Sequence, residues 1–311
     1  MTTATLTAPP LAHGGRAVVV LARIEARRHL RGAALWLGLL GLVYFGLGAR
    51  ETDWQSGVYS VFPVIFVPLV AATFVAAVRS GGRDRHADLP PLAEEAPLDD
   101  NARAIARLFG LTPFVAACVL LVIGIETGIR IEGGLWVGIE PGRTDSAVHT
   151  IPELLQPIAL VLLAAAAGVA AGRRFRRRGP ITLMGLILVF ITGFLGWWAF
   201  QVLPLAYVTL VQTQPVSESL GLVADIRAVP DDWLLEYVAE ERGWVRVYVD
   251  QPMIAGHVVY LLGWVAVCTA GIVGGALGRR WLWFGLAAVG VGLIVQVAAT
   301  GFALSPNSFG S

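Results

Sequence analysis

Long apolar runs alternate with polar connections along this chain, and the runs recur at the length of a bilayer. A crossing needs about 20 apolar residues. Seven runs approach or meet that length: Ala33 to Ala49, Val58 to Val78, Leu108 to Ile129, Leu154 to Gly172, Ile181 to Leu203, Ile254 to Leu277 and Trp281 to Ala303. Only Gly278, Arg279 and Arg280 separate the last two, which predicts a tight hairpin there with its arginines in the headgroups. The expected fold is an all-α polytopic membrane protein. Its transmembrane domain covers 33–303, between a cytoplasmic tail and interfacial helix at 1–32 and a short tail at 304–311.

Two polar interruptions are long enough to be working parts. The segment 79–108 opens on Arg79, Arg83, Arg85 and His86, continues through an acidic, proline-bounded run from Asp88 to Asp100, and ends on a helix-like stretch from Asn101 to Leu108. The segment 204–253 is far longer than a link between neighbouring spans requires, so it is expected to be folded. Its first part, Leu205 to Val211, is apolar but too short to cross, which predicts re-entrant or interfacial placement. Its second part has Pro230 and Asp231 near a helix start and Gly243 as a stop. Trp233, Leu234, Tyr237 and Val238 would share one face of that helix, resting on the outer interface. The connection 130–153 reads as an ordinary exposed loop.

Charge placement sets the orientation. All 23 basic residues are arginine. With the N-terminus inside, 17 of them precede the first span or fall in 79–108, 173–178 and 279–280, and six remain outside. Arg23, Arg27 and Arg31 recur at i, i+4 and i+8, one stripe of a helix from Ala17 to Gly32 in the cytoplasmic headgroups, with Glu25 elsewhere on its surface. Met1 to Gly15 lacks the order of a signal peptide and is expected to be a disordered cytosolic tail.

Composition narrows the chemistry. At 56% hydrophobic and 14% charged residues the chain lies outside the soluble range, and a net charge of +1 gives no reason for a nucleic-acid partner. The absence of lysine excludes a phosphate-binding nucleotide loop and Schiff-base chemistry. Cys118 and Cys268 fall in apolar runs and are expected to pack. The five histidines stand singly, at no metal-ligand spacing, so neither a metal site nor a catalytic residue is expected. Glycine pairs Gly271/Gly275 and Gly274/Gly278 mark the sixth span for close packing within the chain. Ionisable residues in spans are few: Glu126 and Arg130, an i, i+4 ion pair near the outer end of the third, and His257 near the outer end of the sixth. That scarcity argues against proton or sodium coupling and for an energy source outside the chain.

The residues from Ala22 to Arg31, which hold Arg23, Glu25, Arg27, Arg28 and Arg31, are similar to the connecting helix of the membrane subunit of ABC-2 type ABC exporters. Arg83, Asp84 and Arg85, then Leu92 to Leu98 with Glu94, Glu95, Pro97 and Leu98, then Asn101 to Leu108 with Arg103 and Arg107, resemble the loop in which that family carries its coupling helix. The resemblance covers six spans in layout and these two stretches in residues. It implies a permease with a separate ABC ATPase subunit docking on 79–108, ATP and Mg in that partner and none here, and a homodimer or paired permease. It further implies residence in a bacterial inner or plasma membrane and outer re-entrant helices at 204–253. The seventh span, Trp281 to Ala303, departs from the pattern. The alternative is a membrane anchor or assembly protein whose outer segment, with Trp233, Leu234 and Tyr237 as its cap, binds an extracytoplasmic partner.

Overall fold

The computed structural model describes residues 14–51, 62–83, 98–131, 148–175, 178–198, 207–211, 216–219, 234–238, 243–248 and 251–299. Nine α-helices of eleven or more residues lie among them: α1 Gly14–Arg31, α2 Ala33–Glu51, α3 Val67–Gly81, α4 Asp100–Gly110, α5 Thr112–Ile131, α6 Ile151–Arg174, α7 Arg178–Trp198, α8 Gln251–Val273 and α9 Gly275–Ala299. Four stretches are long and apolar enough to cross a bilayer, namely Asp100–Ile131, Ile151–Arg174, Gln251–Val273 and Gly275–Ala299. A fifth is added if α1 and α2, bent by 52° at Gly32, count as one broken span. The apolar helical stretches Val67–Gly81 and Gly179–Val189 are shorter. The chain is a multi-pass membrane protein whose described membrane part is helical, because a backbone in hydrocarbon must satisfy its own hydrogen bonds.

Local sequence explains the helix ends. Asp99 caps α4, its carboxylate accepting from the Ala102 N–H at 2.6 Å. Glu153 reaches back from the first turn of α6 to accept from the N–H and hydroxyl of Thr150, at 2.7 and 2.6 Å. Pro157 lies inside α6 and is tolerated there.

Helix α3 packs on α2, α6 and α7, α6 packs on α8, and α8 packs on α9, while α1 lies along α4. The core runs through Phe66, Leu69, Ala77, Phe114, Leu160, Val169 and Leu261. Small residues set the helix separations: a Cβ added at Gly168 would stand 2.5 Å from the Ala77 Cβ, so α3 and α6 meet backbone to backbone. Outward faces are apolar, with Trp36, Leu37, Leu40 and Tyr44 on α2 and Trp283, Phe284 and Ile294 on α9 exposed.

The turn between the last two helices differs from expectation. It falls at Gly274 and Gly275, whose φ values are +66° and +58°, a left-handed conformation that side chains resist. Gly278, Arg279 and Arg280 instead open α9. Of the two expected pairs only Gly278 packs closely, an added Cβ there lying 2.8 Å from the Ala270 carbonyl of α8; the other close-packing glycines are different ones. Gly271 and Gly275 face open space, whereas an added Cβ at Gly263 would lie 2.6 Å from the Val289 nitrogen and one at Gly285 would lie 2.7 Å from the Gly263 carbonyl. The contact is within the chain, as expected, but a seven-residue spacing (Gly256 and Gly263, Gly285 and Gly292) carries it, not a four-residue one.

The outer segment differs from expectation too. Leu234 and Tyr237 lie in a strand, not an amphipathic helix. β1 Val216–Ser219, β2 Leu234–Val238 and β3 Gly243–Tyr248 form an antiparallel sheet in the order β1-β3-β2. Leu234 pairs with Val247, Val238 with Gly243 and Val216 with Tyr248. Gly243 begins a strand where the sequence predicted a helix stop. Over five residues an apolar cluster fits either period, and the valines of β3, at positions 245 and 247, favour an extended partner. Trp233 lies outside the described residues. The all-α expectation therefore holds for the membrane part and fails here.

Candidate functional site

The candidate site is the junction where α1 meets the two ends of the 79–108 segment. Glu25 was expected on the surface of α1. It is buried at 2% exposure, facing the end of α3 and the end of α4. Arg83 donates to both of its oxygens, at 2.7 and 2.5 Å, Arg28 donates at 3.0 Å, and the Ser80 hydroxyl lies at 3.5 Å. Gly110 closes the other side, since any side chain there would collide with the Glu25 Cβ. A carboxylate taken out of water needs such charged partners, so Glu25 fastens α1 to the residue that opens the loop.

The far end of the loop is fastened by a different residue. Arg173, at the end of α6, donates to the Asn101 side-chain oxygen at 2.6 Å and to the Ile272 carbonyl of α8. It thereby joins the first turn of α4 to the ends of two spans. In the sequence Arg173 bears on orientation only; the signal that finds it is spatial, a cation at a helix C-terminus beside another helix's free carbonyl.

The remaining expected contact residues separate into four groups. Arg23, Arg27 and Arg31 are exposed on α1 in one stripe, among exposed Val19, Val20 and Ile24, and Arg28 is also largely exposed. Arg103 pairs with Asp100 and donates to the Leu98 carbonyl at 3.0 Å, tightening the start of α4. Arg107 is buried at 6% exposure and so does not belong to a docking rim. Arg85, Glu94, Glu95 and Pro97 lie outside the described residues.

His29 sits beside this junction, edge-on to Phe114 at 5.7 Å, and its Nε2 makes no hydrogen bond among the described residues. Burial lowers its pKa below the ordinary imidazole value; the nearby Glu25 carboxylate works against that and the Arg83 guanidinium adds to it.

Two polar clusters near the opposite side were not visible as clusters in the sequence. Glu126 makes the expected ion pair with Arg130 at 3.0 Å, but it also meets His149 Nδ1 at 3.2 Å, and His149 packs on Phe62 with ring centroids 4.2 Å apart. The second cluster pins residues 207–211. His257 Nε2 is 3.2 Å from the Leu210 carbonyl and its Nδ1 is 3.2 Å from Gln296 Oε1. Tyr260 donates to the Val208 carbonyl at 3.3 Å, and Gln296 donates to that of Tyr207 at 3.4 Å. Non-helical backbone at the membrane is tolerated where protein satisfies it, and these three side chains do so. Among the described residues no group of three or more histidine, cysteine or acidic side chains converges as a metal site would require.

Set against known proteins, the chain matches no family model, no curated protein and no solved structure.

Proposed function

We propose that this chain is the permease subunit of an ATP-driven exporter, with hydrolysis of Mg-bound ATP in a separate ATPase chain and no catalytic residue of its own. The observation that carries the proposal is the double fastening of the 79–108 segment. Arg83 at its start is held by Glu25 of α1, and Asn101 near its end is held by Arg173, which also grips α8. Helix α4 then runs on into α5 through a stretch of 32 residues, Asp100–Ile131. Force applied between Arg83 and Asn101 would reach α1, α5, α6 and α8 together. An ATPase that closes on nucleotide needs such a lever, and the exposed arginines of α1 beside it offer a second contact. The reading further places two permeases side by side in a bacterial inner membrane, with seven crossings per chain and export under the outer segment.

Affinity purification in mild detergent tests it: an ATPase polypeptide should co-purify in stoichiometric amount, with vanadate-sensitive hydrolysis. Arg173→Ala should keep the ATPase bound and insertion normal while separating hydrolysis from transport. A chain that purifies without an ATPase, or an Arg173→Ala variant with full transport, would overturn the proposal. The anchor reading is favoured by one observation, the sheet of the outer segment, whose outermost strands among the described residues, β1 and β2, are suited to accept a partner strand. Retention of an extracytoplasmic protein, without an ATPase, would support it.

A further inference from the structure

A groove of about 420 Å³ opens between α3, α6, α7, α8 and the 207–211 segment. Its floor is a single face of α6, where Leu160, Ala164, Ala167 and Ala171 recur at i, i+4, i+7 and i+11 and Phe175 follows the helix end. Alanines on that face leave the space that larger side chains would fill. The floor extends over roughly 20 Å at 1.5 Å per residue, somewhat more than the ~15 Å of one leaflet's hydrocarbon. Among the described residues no charged side chain lines it. The Tyr260 hydroxyl and the Val208 and Leu210 carbonyls at one end are already hydrogen-bonded to protein. An occupant is thus held by shape and dispersion alone along the groove.

The groove opens sideways. Met184 and Leu188 line it and are also 61% and 58% exposed, on the apolar outer face of α7. Access is therefore from the bilayer. At the other end the lining stops at Phe175, whose chain neighbour Arg174 is exposed. A chain-shaped apolar groove that ends at positive charge complements one molecule class in a membrane. From this geometry we infer that the groove holds a phospholipid of the arginine-rich side, one acyl chain along α6 and an anionic headgroup at Arg174. This inference is independent of the exporter reading, since a resident lipid suits an anchor equally well.

Native mass spectrometry of the full chain, delipidated and titrated with phosphatidylglycerol or phosphatidylcholine of identical chains, is the test. One phosphatidylglycerol should be retained with about a fivefold preference, of the size one interfacial arginine gives. Ala167→Trp should weaken retention of both lipids about tenfold or more by filling the groove, and Arg174→Gln should erase the preference while leaving chain binding. In the unaltered protein, a phospholipid with a diazirine in its acyl chain should label peptides covering 160–175 and 181–189, a readout independent of how the variants fold. Equal retention of the two lipids, undiminished binding by Ala167→Trp, or labelling confined to other peptides would overturn the assignment. So would a photocrosslink from position 184 to a second copy of the chain, which would make the groove a protein contact.

Discussion

Glu25 shows how one side chain can fix the relation of three helices. Its partners are unequal: Arg83 is 35% exposed and Arg28 is 57% exposed, so water screens part of both pairs. Glu25→Ala is expected to cost about 1 to 3 kcal/mol, the range for stranding a hydrogen-bonded charge that keeps some access to water. Thermal unfolding in detergent measures it, and the loss should not add to that of Arg83→Ala, because the two changes break one contact. At His29 the expectation concerns pH. Its folded pKa lies below the ordinary value of 6.5, so docking favours neutral imidazole. That contribution is fully present above pH 6.5 and is lost as pH falls through the lowered value. Amide exchange across residues 20–31, corrected for intrinsic rate, should therefore quicken toward pH 5, and His29→Leu should abolish the change.

Among the elements, the α8–α9 pair is the tightest and separates two readings of the glycines. Gly263→Ala would put a methyl 2.6 Å from the Val289 nitrogen, and backbone cannot yield as a side chain would. It is expected to lower stability by about 1 to 3 kcal/mol. Gly271→Ala meets nothing within 4 Å and sits within a helix, so it should be neutral or stabilise by about 0.5 to 1 kcal/mol. Equal melting temperatures for the two variants would contradict the packing described. The four-residue glycine pairs were legible in the sequence, yet of the four residues only Gly278 packs closely; Gly271 faces open space, and Gly274 and Gly275 form the turn. Their left-handed conformation, not close approach, is what requires glycine there. The arginine stripe of α1 was legible because helical spacing alone places Arg23, Arg27 and Arg31 together.

At the scale of the whole molecule, the strands of the outer sheet pair only with one another among the described residues. Replacing 216–250 by a short glycine-serine linker should leave the melting transition of the helical part within a few degrees, followed by tryptophan fluorescence in detergent. Collapse of the helical part would mean that the sheet braces it. Multi-pass membrane character and the order of apolar helices were settled by the sequence alone, since hydrocarbon selects for length and apolarity residue by residue, with no need to know neighbours. The sequence also singled out 79–108 and α1, each by itself. Only the tertiary structure decided which residues bind them together. Glu25 and Arg83 are separated by 58 residues, Arg173 and Asn101 by 72, and His257 and Gln296 by 39. A buried polar group is defined by the partner that compensates its lost water, and no local pattern of charge or spacing names a partner so far along the chain.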